Sequence, residues 1–493
     1  MTLKTLPALF IGCLCLVFAQ LASAADTPAQ AARKWRTAHE SEILKEFTSL
    51  LAIPNVASDT ANIQRNAETL VAMLKRRQVD ARLLSIPEAP PIVYGEIKTP
   101  GAKHTIVFYA HYDGQPVTPS EWEGGAPFTP VFRTVDVEQR LYARSASDDK
   151  AAIIAQLTAL DALRAAKIPL RANIRFVWEG EEEAGSPHLE KILEANRELV
   201  KGDVWLICDG PVDQSRRQTV VFGARGDTHL EITVYGPHRE LHSGHYGNWA
   251  PNPAMMLAQL LSGMKDNQGR VLILNFYDGI APLSTIEQQA IASAPLNDEK
   301  LKQELWLGDT DGGGMRLLEL LNLPTLNING FASARIGARA NNVIPSTAIA
   351  DIDLRLVKGL DWRRQQDRVI AYIQSQGYFV TESEPTREVL LSHPKVAMVK
   401  RDSASYNAVR TPMDLPIAQA VIAAVERARG PVIKLPTMGG SVPLEMMERV
   451  TGAPTITVPI ANHDNNQHSA NENIRLQNLW DGIETMSALL EME

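Results

Sequence analysis

His111 and Asp113 close the apolar run 105–110, placing an imidazole and a carboxylate two residues apart where an extended segment opens. Such a pair suits a metal-binding histidine whose second nitrogen is oriented by the acid, which fixes the tautomer and raises basicity. It equally suits a histidine hydrogen-bonded at the end of a strand. Asp148 and Asp149 stand in Ser145-Ala146-Ser147-Asp148-Asp149-Lys150, just before a helical run. Ser and Asp there can cap free amides, or Asp148 can present both oxygens to two cations. In Glu179-Gly180-Glu181-Glu182-Glu183 four carboxylates fall within five residues behind the apolar run 173–178. Their repulsion costs stability unless cations or raised pKa values relieve it. Asp209 ends the run 203–208, where alternation sends Cys208 and Asp209 to opposite faces, Cys208 to the core. Residues 462–472 offer another imidazole after an apolar run.

Together these segments hold the donors of a two-metal hydrolase: two histidines, a bridging aspartate, two further carboxylate ligands and one spare carboxylate. Nitrogen and oxygen donors without thiolate suit zinc, and less selectively manganese or cobalt. Three ligand carboxylates offset much of the charge of two divalent ions, and the remainder can acidify a bridging water.

The elements that must position these residues follow from periodicity. Helical spacing covers 31–51 and 68–77, after which short β-branched runs at 92–97, 105–110, 131–135, 173–178 and 203–208 alternate with helical stretches such as 151–166 and 187–199. This predicts an α/β domain with a mainly parallel sheet, its chemistry at the carboxyl ends of the strands. From about 220 the pattern changes to strands at 228–235, 333–336 and 348–356 with helices at 254–264 and 361–376, an inserted α+β domain. Residues 281–311 read as polar helices and loops added to it, with no role evident. The expected division is 1–24 signal peptide, 25–219 catalytic domain, 220–384 lid and dimerisation domain, and 385–493 the rest of the catalytic domain.

Lys4, the apolar run 6–21 and Ala22-Ser23-Ala24 form a secretory signal cleaved after Ala24, giving an exported, periplasmic or secreted protein with no stable membrane anchor. Of three cysteines only Cys208 then remains, so no internal disulfide can form. With 49 Lys+Arg against 57 Asp+Glu the net charge is −8, which excludes a basic nucleic-acid binder. A hydrophobic share of 45% over 493 residues is ample for a large core and excludes a disordered chain.

In chain order His-x-Asp at 111–113, Ser-Asp-Asp-Lys at 147–150, Glu-Glu-x-Gly-Ser at 182–186, Asp-Gly at 209–210 and His-Ser-x-x-Glu at 468–472 closely resemble the M20 family of metallopeptidases, especially its carnosinase-like dipeptidase branch. The match spans nearly all of the chain after the signal. The resemblance implies one metal on His111 and Asp209, a second on Glu183 and His468, and Asp148 bridging. Glu182 falls at the family's general base and Asp113 at its histidine-orienting residue. Leu241-His242-Ser243-Gly244 resembles the start of the family's lid, where in dimeric members the histidine at His242 reaches the neighbouring subunit's site and stabilises the oxyanion. The resemblance also extends to Asn342-Val343-Ile344-Pro345, to Asp353-Leu354-Arg355-Leu356, whose arginine is associated with the substrate carboxylate, and to the substrate-contacting loop Gly439-Gly440-Ser441. Asn342, Arg355, Gly440 and Ser441 are therefore the expected substrate contacts. Ala143 and Ala151 depart from the glycines of many relatives, which bears on substrate choice more than on catalysis.

The implied activity is hydrolysis of dipeptides or short peptides by a homodimer, with water activated by two metals and Glu182. A carboxypeptidase or N-acyl-amino-acid amidase on the same centre is the alternative within enzymes, and a non-catalytic peptide-binding protein the alternative outside them.

Overall fold

The computed structural model describes residues 26–124, 126–440 and 442–493. The segment 1–24, expected as a signal, and Ser441 lie outside the described residues. Among the described residues no helix is long and apolar enough to cross a membrane.

Apolar runs build the centre of an eight-stranded sheet. Asn173–Glu179, Thr105–His111, Val204–Ile207 and Thr455–Thr457 lie side by side in that order, all parallel. Ile92–Ile97 and Asp80–Leu84 extend one edge antiparallel, and Thr219–Val221 with Ile433–Leu435 complete the other. Period-two alternation sorts the side chains. Ile106, Phe108, Ile174, Phe176, Val204, Leu206 and Cys208 enter one core, whereas Val107, Tyr109, Val177, Trp205 and Ile207 enter another. Strands buried on both faces need helices on both. Lys150–Ala165 lies against the first face, packed beneath Pro28–Leu51 and Leu476–Leu490, which is why KAAIIAQLTALDALRA is apolar almost all round. Leu189–Ala195 and Leu444–Thr451 cover the second.

Val131–Val135, expected among the α/β strands, instead pairs with Glu138–Tyr142, which in turn pairs with Asn473–Arg475 in a separate three-stranded sheet. That sheet joins the segment before Asp148 to the segment after His468.

The second large sheet runs Thr325–Ala332, Thr347–Leu356, Gly226–Tyr235, Val396–Arg401, Phe379–Thr381, with Pro253–Ser262 and Trp362–Ser375 packed on it. Two expectations are corrected here. The strand expected at 333–336 lies earlier, at Thr325–Ala332, where the asparagines and glycine of TLNINGFA mask the β pattern and a bulge falls between Ile328 and Gly330. The boundary at 384/385 also falls too early, because Val396–Arg401 pairs with Leu230–Val234 inside the second sheet. A β-branched run reads the same in either sheet, and only the pairing decides.

The chain crosses between the sheets at two points that touch. Gly223–Ala224 pairs with Val409–Arg410, and Asp227 bridges Tyr406. A Cβ on Gly223 would meet Val409 O at 2.1 Å, and one on Gly226 would meet Tyr406 O at 2.5 Å, so glycine is what lets the two backbones approach.

Candidate metal centre

Parallel strands that end together deliver their next residues to one place. His111 closes Thr105–His111, Glu182 and Glu183 follow Asn173–Glu179, and Asp209 follows Val204–Ile207. His111 Nε2 lies 2.8 Å from Asp148 Oδ1, and His468 Nε2 lies 3.2 Å from Asp148 Oδ2 and 3.3 Å from Glu183 Oε2. The donor atoms of His111, Asp148 and Glu183 fall within 4.8 Å of one another, as do those of His111, Asp149 and Asp209. His111, Asp148, Glu183, Asp209 and His468 thus converge, and the two Asp148 oxygens face different histidines. His468 reaches the cluster from a loop with positive φ at Asn466, His468 and Asn471, strain of the kind that persists where surrounding contacts hold it.

Asp113 is fully buried, with Oδ1 at 3.3 Å from His111 Nδ1. Its oxygens also accept the backbone amides of Glu182 at 3.1 Å and Glu183 at 3.0 Å. One carboxylate therefore orients the histidine and the acidic loop together.

Electrostatics separates the roles. Burial would lower the His111 pKa, but hydrogen bonds to Asp113 and Asp148 outweigh it and hold it well above the usual imidazole range. Asp148 is held below the usual carboxylate range, because His111 and His468 overcome its burial. Burial and then the Asp148 charge raise Glu183 to about 7 and Asp209 to about 6. Glu182 is pushed well above the carboxylate range, burial first, with Asp209, Glu183 and Asp148 adding to it against His111. A buried cluster this acidic is short of positive charge, and two imidazoles with hard oxygen donors fit divalent cations.

Two residues were not assigned from sequence. Asp149 occupies a helix N-cap position without making a side-chain cap, and instead accepts the His111 amide at 3.3 Å. Glu472, fully buried, accepts from Arg144 Nη1, Ser145 N, Ser147 N, Ser147 Oγ and Asp148 N at 2.8 to 2.9 Å. It shapes the whole loop that presents Asp148, and the only sequence signal for it is the acid of the His-Ser-x-x-Glu motif. Glu472→Ala strands a buried guanidinium and three amides, and is expected to lower folding stability by ~3–5 kcal/mol. Urea unfolding measures it.

A cavity of about 950 Å³ adjoins the cluster, lined by Asp148, Glu182, Asp209, His468, Arg355 and Gly440 among others. Pro295, Asn297 and Leu301 form part of its wall, which gives the 281–311 segment a place beside the site. Asn342, expected at the substrate, does not reach it, and His242, expected at the neighbouring subunit's site, faces outward. His242 is exposed on the second sheet's domain, its Nδ1 accepting Gly244 N at 3.0 Å, and Asn342 is exposed beside it, its carbonyl accepting Ser243 N. Neither lines the cavity, because the Leu241–His242 ladder with Val343–Ile344 holds both on the outer surface.

Residues 107–492 match the model of Peptidase family M20/M25/M40. The chain belongs to this family. As a member it is a metallopeptidase, and its fold recurs in its relatives. It is 27% identical over 471 residues to the Cys-Gly metallodipeptidase of Candida albicans, covering 91% of this chain and 94% of that one. It is 26% identical over 450 residues to the Beta-Ala-His dipeptidase of Homo sapiens, covering 89% and 84%. The crystal structure of an M20 family metallo-carboxypeptidase from Sulfolobus solfataricus superposes with a TM-score of 0.76 at 27% identity, covering 92% and 99%.

Proposed function

We propose that the protein is an exported dinuclear metallodipeptidase hydrolysing dipeptides or short peptides. The observation that carries this reading is Asp148 with one oxygen toward His111 and the other toward His468, beside the carboxyl of Glu182. In this reading His111 and Asp209 would hold one ion, Glu183 and His468 the other, and Asp148 would contribute to both. Zinc suits these donors, with manganese or cobalt as alternatives. Bound divalent ions would polarise the scissile carbonyl and acidify water. Glu182 takes the proton from that water and passes it to the departing amine. Asp113 keeps His111 in register, and Arg355 with Gly440 and Ser441 receives the carboxyl end of the peptide. The curated relatives named as dipeptidases support the substrate class.

Unblocked, amino-blocked and carboxyl-blocked dipeptides, each assayed with metal-depleted and zinc-restored protein, test it. Unblocked dipeptides are expected to be cleaved, and only after metal is returned. Preference for amino-blocked substrates would favour the second reading, a carboxypeptidase or N-acyl-amino-acid amidase, which the Sulfolobus solfataricus neighbour supports. Stoichiometric peptide binding without product would mean a binding protein.

The reading includes a homodimer through the second sheet's domain. His242, His245, Tyr246 and Trp249 form a chain of ring contacts ending at Trp249, 80% exposed, an apolar surface suited to a second copy. His242 would then serve the partner's site as an oxyanion donor. Mixed dimers of His242→Ala and Glu182→Ala chains are expected to regain one active site in two, and no recovery would remove the shared site.

A further inference from the structure

Gly226–Tyr235 and Thr347–Leu356 pair antiparallel with Asp227 opposite Arg355 and His229 opposite Asp353. Opposed residues project to one face and residues two apart share it, so these four form a block, while Leu354 turns into the domain core. Arg355 Nη1 lies 3.3 Å from Asp227 Oδ2, and its Nε lies 3.2 Å from Asp353 Oδ1. His229 Nε2 lies 3.3 Å from Asp227 Oδ2. The acids and imidazole are close enough together to ligate an ion. A guanidinium already sits on both carboxylates, however, and makes the block an ion-pair cluster. Asp227 and Arg355 reach the cavity that holds Glu182 and His468, whereas Asp353 and His229 are not among its lining. The second Asp227 oxygen, Oδ1, is buried without a hydrogen-bond partner.

Asp227 and Asp353 already contact Arg355, and a peptide carboxylate arriving there is one anion more. Arg225, the neighbouring cation, donates to Leu323 O and Thr325 Oγ1. We propose that Asp227 is a specificity-determining residue, a built-in carboxylate that competes with the substrate's terminal carboxylate for Arg355 and so sets how tightly short peptides are held. The inference rests on Arg355 receiving that carboxylate. The competition acts on binding and not on the chemical step, because Asp227 faces the carboxyl end of the peptide and Glu182 the scissile bond. It also weakens retention of the product that carries the carboxylate.

The test measures KM and kcat of the full-length, zinc-restored protein on alanyl-alanine and on alanyl-alanine amide. Asp227→Asn is expected to lower KM for the dipeptide about five-fold, with KM for the amide and kcat for both little changed. Asp227→Ser, which also removes the charge, is the second variant should the first fold poorly. Asp353→Asn, away from the cavity, is expected to change the dipeptide KM less. A raised dipeptide KM in Asp227→Asn, equal shifts on dipeptide and amide, or an equal effect of Asp353→Asn overturns the proposal. Arg355→Lys reports on the underlying assignment separately. If it leaves the preference for dipeptide over amide intact, Arg355 does not receive the carboxylate, whatever Asp227→Asn does.

Discussion

Glu182→Gln is expected to lower kcat by ~10²–10⁴-fold or more while the bound metal stays at the wild-type level. The side chain lines the cavity beside Asp148, Asp209 and His468, yet belongs to neither group of converging donors. Its backbone amide is fixed by Asp113, which anchors the loop that presents the carboxyl. Burial and the surrounding acids raise its affinity for a proton and bound cations would lower it again, so the group can take a proton from water and release it to a leaving amine. Glutamine keeps the shape and removes the transfer. Turnover and metal content measured on one preparation decide it. Loss of metal together with activity would make Glu182 a ligand, and retained turnover would move the base elsewhere.

Removing the metal is expected to make stability fall as pH rises, by about 5 °C in Tm between pH 5 and pH 8. The sign follows from the direction of the shifts. Glu183 at about 7 and Asp209 at about 6 stand above their ordinary values, so folding favours their protonated forms. Their contribution is fully present below the usual carboxylate range and is lost as pH rises through about 6 to 7. His111 and His468 are also raised, and their contribution is likewise lost on the alkaline side. Asp148 runs the other way, but its depressed value places that loss at acid pH, outside the window, and Lys150, lowered to about 7 by burial, opposes the slope only above that pH. With ions bound the carboxylates are neutralised by charge instead of protons, so the slope should flatten and metal addition at pH 6 should release protons. Thermal melts with and without chelator check the first, and calorimetry in two buffers the second. A metal-free slope of opposite sign would remove the account of the cluster.

Much of the site was legible because its residues follow apolar strands. His111, Glu183 and Asp209 each come where a buried run turns polar, and parallel pairing brings such ends together without further information. Glu472 was not legible in the same way. Its work is to hold amides more than three hundred residues earlier in the chain, and nothing local to residues 471–473 names that target. Asp149 was read as a possible cap because an acid before a helix usually is one, yet here its oxygen is drawn to the His111 amide. In the second sheet, the asparagines of Thr325–Ala332 weakened the β signal, and the edge position tolerates them. Val396–Arg401 carried a clear strand pattern but no mark of which sheet it joins. Asn342 was expected by resemblance at the substrate and His242 at the neighbouring subunit's site, and within one chain both face outward.

Gly223 and Gly226 let their crossing lie against the one at 406–410, a narrow waist of paired main chain that carries Asp227, with Arg355 opposite Asp227 in the second sheet and Glu182 and His468 at the strand ends of the first. If Arg355 receives the substrate carboxylate and Glu182 carries the proton, as proposed, the distance between those two tasks crosses this waist.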